Sequence, residues 1–204
     1  MKKLIPLILL LSFTIKAQEI KIGTQTWTSK NLDVTKYRNG DAIPQVQDKN
    51  AWAKLKTGAW CYYEKNKANY DSIGAIYGKL YNWYAVNDPR GLVPKGYHMP
   101  SDKEWKTLSD YLGGVSAAGK KMKSSSCWEN NSNGTNTSGF SGRPGGCRNN
   151  DGSFSSIGAN GYWWSSSEVS TNDAWTIALG LVSGFVFSYS YDKRNGYSVR
   201  CLKD

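Results

Sequence analysis

Residues 77–114, YGKLYNWYAVNDPRGLVPKGYHMPSDKEWKTLSDYLGG, decide the reading of the fold. Ser101 followed by Glu104 is a capping box: the serine hydroxyl takes the Glu104 amide, and the glutamate reaches back to the serine amide. Asp102 puts negative charge in the first turn, where the helix dipole favours it. Trp105, Leu108 and Leu112 recur on one face at helical spacing, and Gly113-Gly114 ends the run. Upstream, residues 79–86 read as an aromatic-rich helix stopped by Asp88-Pro89 and Gly91. Pro94-Lys95-Gly96 is a turn leading into a brief strand at 97–99. The stretch thus predicts two helices with a short strand between them.

The composition around it favours strands and shaped loops. The chain has 9 Trp, 13 Tyr and 5 Phe among 204 residues, and 21 Gly, which disfavours long helices. Upstream, residues 20–27 read as a strand broken by a turn at Gly23-Thr24, residues 35–47 as a loop with Asn39-Gly40 at a turn, 51–56 as a short helix and 58–64 as extended. Residues 117–123 add one or two helical turns. Residues 124–161 carry little periodicity and are rich in Asn, Ser, Gly and Thr, with Trp128, Phe140, Phe154 and Ile157 to pin them down; long shaped loops of this kind are commonly functional. Strands follow at 162–166, 174–179, 185–190 and 197–202. In them Trp175, Ile177 and Leu179 alternate, as do Phe185, Phe187 and Tyr189, and Tyr197, Val199 and Cys201. Residues 192–196 supply the last turn. No domain boundary or internal repeat stands out.

Met1, Lys2 and Lys3 begin the chain with positive charge, residues 4–15 are apolar apart from a few small polar side chains and Pro6, and Lys16-Ala17-Gln18 turns polar. This is the layout of a secretory signal peptide ending at Ala17; the apolar run is too short for a spanning helix, which needs about 20 residues. Residues 18–204 are then the mature chain, long enough for one compact domain. Export places the protein outside the cell, on its surface or in the periplasm. Removing Lys2, Lys3 and Lys16 lowers the net charge from +10 to +7. The remaining basic residues are scattered, with Lys120, Lys121 and Lys123 the one tight cluster, which reads as a solvated face and not as a nucleic-acid surface. No later stretch is apolar enough to span a membrane.

Cys61, Cys127, Cys147 and Cys201 are even in number and, after export, lie in an oxidising compartment, so disulfides are expected, with three pairings open. Cys127 with Cys147 is favoured because it would staple the irregular loop 129–146, a closure worth roughly 3 kcal/mol. Cys61 with Cys201 would tie an early segment to the last strand. The spacings match no zinc pattern, and His98 is the sole histidine.

YGKLYNWYAV, GYHMPSDKEWKTLSDYLGG, SGFSGRPGGCRNNDGSF, GYWWSSSE, AWTIAL and NGYSVRCLKD, in that order, resemble the Fibrobacter succinogenes major paralogous domain, a family of exported bacterial proteins, many from Bacteroidetes. That family is similar in pattern to the formylglycine-generating, sulfatase-modifying domain. Residues 96–105 follow a G-x-x-x-P-[ST]-x-x-E-W signature, and residues 196–201 are similar to its terminal G-F-R-C segment. The resemblance implies an α+β, C-type lectin-like fold: two main helices flanking a small twisted antiparallel sheet, with long irregular loops. It does not carry over the copper-holding cysteine pair of the formylglycine-generating enzymes, nor the Glu-Pro-Asn or Gln-Pro-Asp calcium motif of sugar-binding lectins. Relative to the family pattern, Val93 stands where a cysteine often occurs, while Cys127 and Cys147 replace other residues; this joint departure also argues for pairing them.

The remaining chemistry is sparse. His98 reads as a hydrogen-bonded residue fixing its turn and not as a catalytic base. Glu104 is committed to the capping box, and Glu129, Glu168, Asp173 and Asp192 lie in loops without a hydrolase context. The glycines at 142–146 lack the Lys-Ser/Thr of a phosphate loop. Asn130, Asn133 and Asn136 begin N-x-S/T triplets in a polar loop, and Asp71-Ser72-Ile73 matches a short O-glycosylation pattern. Neither a catalytic residue nor a cofactor nor a metal is expected. The expected function is recognition of a glycan, peptide or cell-surface protein through Trp128, Arg148, Tyr162, Trp163 and Trp164. By strand alternation Tyr162 and Trp164 share one sheet face and Trp163 the other, so one set is core and the other is free to stack. Two rivals are a copper-dependent cysteine enzyme built on Cys61 or Cys201 and a structural component of the cell envelope.

Overall fold

The computed structural model describes residues 18–63, 70–181 and 184–204. The expected signal peptide, 1–17, lies outside the described residues. Among those described, the chain is mostly β, with twelve strands in two sheets and five short helices.

The first sheet opens with the hairpin of β1 (Glu19–Ile22) and β2 (Gln25–Thr28). Its turn is the predicted Gly23-Thr24, with Gly23 at φ +61° packed against the Tyr111 ring. β12 (Leu202–Lys203) and β5 (Tyr97–His98) complete it in the order β1-β2-β12-β5. The larger sheet runs β10 (Val186–Asp192), β9 (Asp173–Gly180), β8 (Asn160–Glu168), β6 (Gly145–Arg148), β11 (Gly196–Tyr197), β4 (Leu80–Asn82) and β3 (Trp60–Cys61), with β7 (Phe154–Ile157) hairpinned onto β6. β6 meets β8 in parallel at Gly146 and Gly161, where a Cβ on either glycine would stand within 2.6 Å of backbone atoms. The bare Gly146 lets β7 come close through Ser155 O and Ile157 N, and the bare Gly161 lets the chain at Arg143 O come close to β8.

The helices are α1 (Lys49–Ala53), α2 (Tyr70–Tyr77), α3 (Trp83–Val86), α4 (Asp102–Tyr111) and α5 (Val115–Met122). α4 has the predicted capping box: Ser101 Oγ accepts from the Glu104 amide at 3.3 Å, and Glu104 Oε2 accepts from the Ser101 amide at 2.8 Å. His98, as expected, fixes this corner, with Nε2 2.9 Å from Glu104 Oε1 and Nδ1 2.8 Å from Asp204 Oδ1. Burial opposes its protonation, but the hydrogen bonds to Asp204 and Glu104 outweigh it and raise its pKa.

Both faces of the interior strands of the large sheet are covered. On one side Trp163, Ile177, Leu179 and Val186 pack with Trp105, Leu108 and Leu112 of α4, Ala118 and Met122 of α5, and Trp27 of the small sheet. On the other, Trp164, Tyr197 and Ala174 pack with Tyr81, Trp83 and Trp60 and with loop residues such as Leu32, Tyr37 and Leu92. A third cluster gathers Trp52, Cys61, Tyr63 and Leu80.

This overturns the expected α+β, C-type lectin-like architecture of two main helices beside a small sheet. Three local readings produced the error. Residues 80–82 are strand β4, and only 83–86 are helical. The Gly-rich stretch read as irregular holds the β6–β7 hairpin. The single terminal strand is two, with β11 in the large sheet and β12 in the small one. The sheet therefore outgrows the helices, of which the longest, α4, has 10 residues.

The expected disulfides are absent: none of the four cysteines is cross-linked. Cys147 is buried and faces Ser155, 3.1 Å from its hydroxyl, whereas Cys127 is exposed beside Ser126 and Arg143. Cys61 sits in the third cluster and Cys201 in the first. Covalent closure is replaced by apolar burial. Denaturation and alkylation without reductant is expected to label all four thiols, and dithiothreitol should leave the melting temperature unchanged. A mass deficit of two hydrogens per pair would contradict both statements.

Candidate functional site

The residues expected to bind ligand do not form an open face. Trp128 is buried, its indole N–H shared between Ser124 Oγ and the Gly142 carbonyl, both at 3.2 Å. Arg148 is buried with its guanidinium 4.1 Å from the centre of the Phe154 ring and 5.2 Å from that of Trp52, donating to the Gln47 carbonyl. Trp163 donates to Asn31 Oδ1 at 2.9 Å and Trp164 to the Tyr81 carbonyl at 2.8 Å, both with no exposed surface. The predicted alternation of the three β8 aromatics is present. The step from alternation to exposure fails because β8 is an interior strand covered on both faces. Only Tyr162, half-buried, borders open surface.

That surface belongs to β10, at the edge of the large sheet. Phe187, Tyr189 and Tyr191 alternate along β10 and so project to one face, and the ring of Phe185, just before the strand, continues their row. Their rings form a row with successive centres 6.0, 5.8 and 5.8 Å apart, Phe187 and Tyr189 being stacked at 13°. Phe185 is 45% exposed and Tyr189 43%. The row can lie flat because the strand beneath it is small: Phe187 pairs with Ala178, Tyr189 with Thr176 and Tyr191 with Ala174, and all three partners are buried. Tyr191 anchors the inner end against Tyr197, at 5.8 Å, and Tyr162, at 6.4 Å.

Polar groups flank the row. Asn160 Nδ2 donates to the Tyr162 hydroxyl at 3.2 Å. The Asn160 side-chain oxygen and the Phe187 ring both lie beside Gly180, 3.4 and 3.9 Å from where its Cβ would stand. Ser188 and Ser190 occupy the opposite face of the strand, Ser188 donating to Asp102 Oδ1. Beside Tyr191, Asp192 is held by the Arg194 guanidinium, at 2.9 and 2.5 Å, and by the Arg194 backbone amide at 2.9 Å, which keep its carboxyl below the usual range. Burial raises the pKa of both Tyr162 and Tyr191, so their hydroxyls stay neutral donors at neutral pH. The result is an uncharged aromatic strip about four rings long with amide and hydroxyl groups at its side.

Sequence reading caught the alternation of Phe185, Phe187 and Tyr189 but not its meaning. The signal was in the intervening residues: Ser188, Ser190 and Asp192 could not line a core, so this was an edge strand and its aromatic face had only one sheet to lean on.

The family model described as the Fibrobacter succinogenes major domain matches residues 20–203. The chain belongs to this family. No curated protein and no solved structure matches it. Among the described residues no helix is long and apolar enough to cross a membrane.

Proposed function

We propose that this is an exported, non-enzymatic binding module that recognises a glycan on or outside the cell through the aromatic row of β10. The observation that carries the reading is the row itself, four rings in line on a half-exposed edge strand. Sugar rings present C–H faces that pack on aromatic faces while their hydroxyls need donors and acceptors at the side, and Asn160 and Tyr162 supply these. The strip is neutral, which suits an uncharged polymer better than an acidic partner. The buried thiols support the non-enzymatic part: burial pushes Cys201 up to about 12 and raises Cys147 as well, so neither is a ready thiolate.

Affinity electrophoresis against soluble neutral polysaccharides tests the proposal. The native protein should be retarded by at least one of them. Phe185→Ala with Tyr189→Ala should weaken that retardation about tenfold or more, two stacked rings being worth roughly 0.5–1.5 kcal/mol each, with an unchanged melting temperature. Equal retardation of the variant, or none for the native protein across neutral polymers, would sink the reading.

A further inference from the structure

Away from the β10 row lies a cleft of about 680 Å³ between the β1 edge, the end of α2 and the loop before β6. Its walls include Arg143, Arg200, Lys30, Asn31, Ser29 and the exposed Ile76. Two carboxylates also line it, and each is already neutralised. Asp33 pairs with Lys79, and Glu19 takes both Lys203 Nζ, at 2.9 and 3.0 Å, and the Tyr97 hydroxyl at 2.5 Å. Arg143, Arg200 and Lys30 have no carboxylate partner among the described residues. Among the described residues the Arg143 guanidinium reaches only the Cys127 sulfur, at 3.7 Å. Arg200 is spread over neutral acceptors, with one Nη2 bond, to Ser141 O, as long as 3.2 Å. The two arginines lie close enough for Arg143 to push the Arg200 pKa down further, beyond the larger effect of burial. The wall between them is preset: Ser141 sits at φ +55° and is held there by two hydrogen bonds with the Asn136 amide, at 2.8 and 2.9 Å.

Arg143, Arg200 and Lys30 face a cavity whose two carboxylates are already paired with other cations, an unfinished charge arrangement, and a planar guanidinium matches an oxyanion best. The volume suits a ligand the size of one or two sugar rings, and Asn31 and Ser29 add groups for hydroxyls. We propose that this cleft is a second binding site, for an oxyanion (carboxylate or sulfate) carried on a sugar-sized body, with Arg143 as its main contact and Arg200 and Lys30 adding positive potential.

Isothermal titration of the purified protein tests this with a glucuronate-containing disaccharide, its methyl ester, a sulfated disaccharide and sodium sulfate. One of the two acidic disaccharides should bind saturably, at least about tenfold tighter than the neutral ester and than sulfate alone, and more weakly as salt rises. Arg143→Gln should lose about tenfold at an unchanged melting temperature, and Arg143→Lys should lose less. The variant with Phe185→Ala and Tyr189→Ala should bind as the native protein does, so this site stands or falls separately from the β10 row. Which acidic disaccharide binds decides between carboxylate and sulfate. The inference is overturned if the ester binds equally, if sodium sulfate alone accounts for the affinity, or if Arg143→Gln is without effect.

Discussion

Replacing Arg200 with Met is expected to cost about 4 kcal/mol or more. The guanidinium is fully buried and donates to Asn31 Oδ1, the Thr28 carbonyl and the Phe140 carbonyl, each at 2.7 Å, and to the Ser141 carbonyl. Its carbon lies 4.4 Å from the centre of the Phe140 ring. Those dipoles and that ring face replace a carboxylate as its counter-charge. Burial pulls its pKa down to about 9, yet it remains charged at neutral pH. Methionine fills the stem's space but leaves the carbonyls without donors inside the protein, at roughly 1–3 kcal/mol for each group left unsatisfied. Against a total of about 5–15 kcal/mol for a typical domain, that is a large fraction. Urea unfolding should show a midpoint lower by about 2 M at an unchanged slope. Arg200→Lys should fall between, since an ammonium keeps the charge but cannot reach four acceptors from a planar fork. A midpoint within a few tenths molar of native for Arg200→Met would show that water or rearranged side chains satisfy those carbonyls.

Trp163→Ala carries the second large effect, about 3–5 kcal/mol. Trp163 meets Phe140 edge-on at 5.8 Å, and Phe140 in turn meets Trp27 and Trp105, themselves 4.6 Å apart. Removing the indole opens a cavity at the centre of this group. Its N–H also satisfies Asn31 Oδ1, the same oxygen that accepts from Arg200. The Trp163 and Arg200 losses should therefore be non-additive when combined. A ligand-binding tryptophan would lose affinity and keep stability; Trp163 should lose stability and, at a temperature where the variant is folded, keep polysaccharide retardation. The reverse pattern in the two measurements would return Trp163 to the ligand face.

Local structure was legible where the signal was local. The α4 capping box, the Gly23 turn and the alternation in β8, β9 and β10 were all present in short windows of sequence. What was hidden was anything decided by distant partners. Leu80, Tyr81 and Asn82 look helical beside Trp83, but pairing with β3 and β11 makes them strand. Trp163 and Trp164 look like one inside and one outside, and a second cover on the sheet buries both. Asn31 gave no signal at all: it is one asparagine in a loop, yet its amide joins Tyr77, Ser198, Trp163 and Arg200. The cysteines misled because their even number and the export signal suggested cross-links, whereas their positions place Cys147 and Cys201 in apolar clusters.

The last residues of the chain supply β11 to the centre of the large sheet and β12 to the centre of the small one. Such pairings join positions far apart in sequence, so they form slowly and late. Without these few residues β2 and β5 have no strand between them, and β4 and β6 are likewise without theirs. Eight residues, 196–203, thus act as a shared fastener: a fragment ending before Gly196 should leave both sheets split at once, so the two sheets gain or lose their integrity together.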